Sequence, residues 1–130
     1  MKKLNVLIID DSRSILAFVS NFFDNNDDYK LFLAKSGKDG LEILEEEKNI
    51  DCVFLDWEMP VMNGIEALDQ IKKLYPNVSV IMMTAKNGAL DIQNMLSHGA
   101  SGNILKPFDK DNMFDKLNEI KKKKYGTEKE

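Results

Sequence analysis

Two adjacent carboxylates, Asp10 and Asp11, follow the apolar run Val6–Ile9. A third, Asp56, closes the run DCVFLD; a hydroxyl, Thr84, closes VSVIMMT; and an amine, Lys106, closes GNILK. Taken singly, each has an ordinary use, since Asp and Ser12 are common helix N-caps. Taken together they demand more. Three carboxylates on neighbouring strands would repel, by roughly 4 kcal/mol for a pair ~4 Å apart at an effective dielectric of about 20. One lysine offsets part of that charge, and a divalent cation is the economical answer for the rest. All-oxygen donors suit Mg2+, which keeps several waters and takes one or two carboxylates plus a phosphate oxygen. Acids, Mg2+, Lys and Thr together form a phosphoryl site: metal and ammonium neutralise the equatorial oxygens, the hydroxyl donates to one, and a carboxylate can attack phosphorus.

Such a site needs elements that bring distant residues to one rim. The apolar runs LNVLIID, YKLFLA, DCVFLD, VSVIMMT and GNILK alternate with segments of helical spacing. Ile15, Phe18, Val19 and Phe22 form one such stripe; Ile92, Met95 and Leu96 another; Met113, Leu117 and Ile120 the last. The pattern predicts βα repeated five times. Continuous rather than alternating apolar strands predict a parallel sheet covered on both faces, a doubly wound α/β domain. Gly37 and Gly40 open the second helical segment, Pro60–Gly64 break the chain before the third, Pro76 precedes the fourth strand and Pro107 follows the fifth. In such sheets the ligand site lies beyond the carboxyl ends of the strands, where strand order reverses.

With 130 residues, 43% of them hydrophobic and 31% charged, the chain fits one soluble globular domain. A net charge of −4 argues against general nucleic-acid binding. The basic run Lys121–Lys124 is expected at the end of the last helix, solvated and complementing its dipole. No signal peptide and no membrane-length apolar stretch is present, so the protein is expected in the cytoplasm. The single Cys52 is expected as a small buried residue, and the single His98 at a helix end before Gly99 rather than in catalysis. Met59, Met62, Met82, Met83 and Met95 are expected to fill loop, strand and helix packing rather than a soft-metal site.

The motifs IIDDS, LDWEMPVMNG, MMTA and GASGNILKPF, in that order, closely resemble the receiver domains of two-component response regulators. The resemblance covers nearly the whole chain. It implies a five-stranded parallel sheet of order 2-1-3-4-5 flanked by five helices, with the receiver at residues 1–124 and a short charged tail at 125–130. It implies that Asp56 accepts a phosphoryl group from a histidine kinase or a small phosphodonor. Asp11, Asp56 and the backbone carbonyl of Glu58 would ligate Mg2+, with Asp10 acting through water. Lys106 would contact the phosphoryl group, Thr84 would shift toward it, and the bond from Lys106 to Pro107 would be cis. Trp57, the GASG of Gly99–Gly102 and KLNEI of Lys116–Ile120 look like the CheY-type single-domain regulators of chemotaxis. A monomer is expected, signalling through a downstream protein that docks on the surface of the fourth helix, fifth strand and fifth helix.

Receivers usually carry an aromatic residue or His three positions before the lysine, where this chain has Asn103. An amide is smaller and polar, so weaker coupling between Asp56 and the output surface is expected. Glu58 and Lys86 stand two residues after Asp56 and Thr84, positions that in the family flank the phosphoryl group and tune its lifetime. They are expected to meet across the site and restrict attacking water. One alternative is a phosphorelay intermediate that passes its phosphoryl group to a histidine phosphotransfer protein. An aspartyl-phosphate phosphatase is a further one, although such enzymes carry D-x-D where the acids here are adjacent. A flavodoxin-like flavin carrier would want hydroxyls and backbone amides after the first strand, and DDSRS would repel an unmetallated phosphate.

Overall fold

The computed structural model describes residues 3–126. Strands β1 (Leu4–Ile9), β2 (Tyr29–Ala34), β3 (Cys52–Asp56), β4 (Ser79–Thr84) and β5 (Gly102–Leu105) alternate with helices α1 (Arg13–Phe22), α2 (Gly37–Glu46), α3 (Gly64–Leu74), α4 (Ala89–Ser97) and α5 (Lys110–Tyr125). The strands pair in parallel, in the order β2-β1-β3-β4-β5. This is the doubly wound sheet expected from the apolar runs.

Period-two alternation divides the core between the two faces of the sheet. Val6, Ile8, Phe54 and Met83 pack with Leu16 and Val19 of α1 and with Met113, Leu117 and Ile120 of α5. Leu7, Ile9, Leu55 and Met82 pack with Leu44 of α2, Leu68 and Ile71 of α3, and Met95 of α4. Both faces of β3 and β4 are therefore dry, and every residue of those strands is buried. The edge strands depart from the continuous pattern: Leu33 of β2 and Leu105 of β5 are about two-fifths exposed, 41% and 42%. A strand with a neighbour on one side only keeps part of its surface in water.

Side chains set where the helices start. Ser12 accepts from the Ile15 amide to open α1, Asn63 and Glu66 form a reciprocal capping box on α3, and Asp109 and Asn112 form another on α5. Helix α4 lacks a side-chain cap and buries only Met95, leaving Leu90 and Leu96 exposed. It is the most weakly anchored helix. At its end His98 is the C-cap residue and Gly99 turns the chain at φ 102°, as expected, while the His98 ring reaches Asp69 of α3 at 2.6 Å.

The lysine run is less idle than a solvated face. It ends α5 as expected, but Lys124 pairs with the buried Asp51 at 3.2 Å, and Lys121 lies over the Tyr29 ring, 4.7 Å from its centre. Cys52 is fully buried, and burial pushes its thiol far above the ordinary range. Met59, Met82, Met83 and Met95 are core residues, and Met62 packs part-buried against the cluster that holds Met59, Met82 and Met95. Helix α5 continues through Tyr125, and residues 127–130 of the expected tail lie outside the described residues.

Candidate functional site

Successive connections from β1 and β3 lead to opposite sides of the sheet, so strand order reverses between these two neighbours. Ile9 lies beside Leu55 in the ladder, and the residues that follow each, Asp10 and Asp56, emerge at one level of the rim. Asp10 is fully buried; its Oδ1 accepts from the Ser12 amide at 2.9 Å and its Oδ2 from Lys106 Nζ at 3.3 Å. Asp56, also buried, accepts from the same Nζ at 2.9 Å through Oδ1. Asp11 is exposed at the mouth, and one oxygen from each of Asp10, Asp11 and Asp56 lies within 4.8 Å of the others.

At that spacing each carboxylate pair repels by roughly 3 kcal/mol at an effective dielectric of about 20. Lys106 is the ammonium paired with this cluster. Burial pushes the Asp56 carboxyl up to about 6, helped by the charges of Asp10 and Asp11 and opposed by the hydrogen bond from Lys106. Burial alone would lower Lys106, but its bond to Asp56 and the Asp10 charge raise it, so it stays a cation. Three hard oxygen donors facing one another, two of them sharing the Lys106 ammonium, fit a divalent ion of the Mg2+ type in number and chemistry.

The other expected residues lie on β4 and β5 or in the segments that follow β3, β4 and β5. Thr84, fully buried at the end of β4, accepts from the Lys86 amide at 2.9 Å through its hydroxyl and so keeps its own proton to donate. Its carbonyl accepts from the Lys106 amide at 2.9 Å, which ties the end of β5 to β4. The peptide from Lys106 to Pro107 is cis, as the resemblance implies. Glu58 and Lys86 meet at 3.4 Å. Asn103 lies in β5 beside Met82, half-buried.

A loop between β3 and α3 holds Asp56 from behind. The Gly64 amide donates to the Trp57 carbonyl at 2.7 Å, and a Cβ at Gly64 would run into the Asp56 carbonyl oxygen and the Trp57 Cα. Only glycine lets α3 start this close. With Gly64 needed for proximity and Asn63 for capping, the left-handed turn falls on Val61, at φ 68° and fully exposed.

Two contacts were not legible beforehand. Lys86 Nζ also lies over the Trp57 ring, 5.4 Å from its centre, so one ammonium touches the residues one and two places after Asp56. Asp51 anchors the far end of the sheet, accepting from the Asn5 amide at 2.8 Å and pairing with Lys124. A charged residue at the start of the apolar run CVFLD was the available signal for the second contact, whereas the first depends on side-chain directions.

Fold and acidic rim together define an open doubly wound domain of the CheY-like type, with the cluster at its switch point. Residues 6–118 match the response regulator receiver domain, and the chain belongs to that family of two-component signalling proteins. It is 39% identical over 116 residues to sporulation initiation phosphotransferase F of Bacillus subtilis, covering 88% of this chain and 91% of that one. It is 32% identical over 119 residues to the chemotaxis protein CheY of Listeria monocytogenes, covering 92% and 99%. Among solved structures, the CheX-CheY-BeF3-Mg+2 complex from Borrelia burgdorferi superposes with a TM-score of 0.83 at 29% identity, covering 92% of this chain and 90% of that one. Receiver domains are phosphoacceptor switches that hold Mg2+ at an acidic pocket, and this chain has the corresponding aspartate cluster.

Proposed function

We propose that Asp56 is the phosphoacceptor of a signalling switch, charged by a histidine kinase and read by protein contact. The observation that carries this reading is a buried carboxylate at the β1/β3 switch point, hydrogen-bonded to Lys106 and flanked by Asp10 and Asp11. In the transfer, an Asp56 oxygen forms a bond to phosphorus while the bond from phosphorus to the kinase imidazole nitrogen breaks, and the imidazole leaves with the bonding pair. Lys106 neutralises the incoming phosphoryl oxygens, and the Thr84 hydroxyl turns its free proton toward one of them. Asp11, Asp56 and the Glu58 carbonyl would hold Mg2+, with Asp10 acting through water; when bound, the ion neutralises carboxylate and phosphoryl charge. Glu58 and Lys86, paired with the lysine over Trp57, limit the approach of hydrolytic water and so set how long the acyl phosphate lasts.

A downstream protein would read the state on the face of α4, β5 and α5, where Leu90, Leu96 and Leu105 are exposed. Likeness to a chemotaxis CheY supports an output regulator of that type, which we propose acts as a monomer in the cytoplasm. The second reading, a relay intermediate that passes its phosphoryl group on to a histidine phosphotransfer protein, is favoured by the 39% identity to a protein named as a phosphotransferase. It is favoured also by Asn103, since a relay needs less coupling to a distant surface.

Beryllofluoride with Mg2+ tests the acceptor site through the single tryptophan, Trp57, next to Asp56. The wild type should give a saturable fluorescence change and Asp56→Asn none; equal responses would contradict the assignment. Incubating phosphorylated protein with a histidine phosphotransfer domain separates the two pathways. Rapid discharge supports the relay, whereas a partner bound only in the phosphorylated state supports the output regulator.

A further inference from the structure

At the opposite pole from the aspartates, a cleft of about 700 Å³ opens among the start of β1, the loops before β3 and β4, and the end of α5. Its size falls within the ~300–1,000 Å³ of small-molecule sites. The lining is basic, although the chain as a whole is acidic: Lys3, Lys48 and Lys124 border it, and the one carboxylate there is Asp51. Asp51 is already engaged by the Asn5 amide, Lys124 and the Tyr125 hydroxyl. Among the described residues neither Lys3 nor Lys48 has a carboxylate within ion-pair reach. A further cation stands on the neighbouring wall, where Lys72 Nζ donates to the Pro76 and Val78 carbonyls at 2.9 and 2.7 Å.

The rest of the lining is ring and apolar surface beside side-chain amides. Leu74 is 57% exposed at the cleft, Tyr75 presents an aromatic ring, and Asn49 and Asn77 offer donors and acceptors. Ammonium groups act as point charges for phosphate, and tyrosine faces stack on planar rings. We propose that this lower cleft binds a phosphorylated ligand carrying a planar ring, of the nucleoside polyphosphate class. An acidic peptide would meet the same lysines but leave the aromatic lining unused. Because this pole lies across the sheet from Asp56, the inference stands apart from the phosphoacceptor reading.

The test is an amide chemical-shift titration of the full chain with ATP in EDTA, which keeps the aspartate site free of metal. Saturable shifts are expected at residues 48–51 and 74–78, unchanged in Asp56→Asn. Charge reversal by Lys48→Glu, or by Lys3→Glu on the β1 side, should weaken binding about tenfold, the effect of one charge-assisted contact. Adenosine alone and inorganic triphosphate alone should each bind more weakly than ATP. The proposal is overturned by shifts that do not saturate, by binding indifferent to both reversals, or by triphosphate binding as tightly as ATP.

Discussion

At the Asp56 carboxyl, burial outweighs the help of Lys106, and the group is pushed from 3.8 up to about 6. The sign of the linkage follows. Between those values the folded, metal-free protein binds a proton that the unfolded chain does not, so stability falls as pH rises from about 4 to about 6. The loss should be on the order of 2 kcal/mol, and Asp56→Asn should remove it, leaving the variant more stable than wild type at neutral pH. Urea unfolding in EDTA across that range measures this, and equal slopes for both proteins would contradict it. Glu58 and Lys86 are side chains of a different sort, 61% and 41% exposed, so their pair contributes at most about 1 kcal/mol to stability. Their effect should be kinetic: Glu58→Gln and Lys86→Gln should each shorten the acyl-phosphate lifetime several-fold while barely changing stability. Unchanged lifetimes would end that account. Asp10, Asp11, Asp56, Thr84 and Lys106 were legible in the sequence because each closes an apolar run, so a parallel sheet must deliver them to one rim. The reach of Lys86 to Trp57 was not, since it depends on side-chain directions in two loops.

Among the elements, the strands were the most legible and the loops the least. Continuous apolar runs require burial on both faces, which β3 and β4 show, whereas the partial exposure of β2 and β5 depends on sheet order. The loop from Trp57 to Asn63 illustrates the limit. Its Pro60 and the Gly64 that follows mark a break, yet only three-dimensional contact shows that Gly64 is needed for close approach and that Val61 takes the left-handed turn. Gly64→Ala should cost about 1–3 kcal/mol, because the new methyl meets backbone that cannot move aside. It should also slow phosphorylation by displacing the Asp56 peptide. Gly37→Ala is the control: its Cβ would meet the Met62 Sδ at 2.8 Å, the far part of a flexible side chain, and the helix gains from alanine. Paired unfolding curves and phosphorylation rates check both, and equal losses in the two variants would argue against backbone proximity as the reason for Gly64.

Across the whole molecule, the doubly wound order places a charged acidic pole at one end of the sheet and a basic cleft at the other, with the face of α4, β5 and α5 running between them. On the proposed function the signal would pass from Asp56 through Thr84 to that face, and Asn103 stands where the resemblance implies a larger ring. Amide shifts induced by beryllofluoride should therefore fade before α5, and Asn103→Tyr should extend them; full propagation in the wild type would contradict weak coupling. Motif order made the family legible, but the pathway was not, because partners are chosen by exposed side chains on α4 and β5 that no packing rule constrains. The most direct test of the central claim is intact-protein mass after incubation with acetyl phosphate, with and without Mg2+, beside Asp56→Asn. The account predicts a single phosphoryl addition that requires both Mg2+ and Asp56. Addition that persists in Asp56→Asn, or that is indifferent to Mg2+, would contradict it.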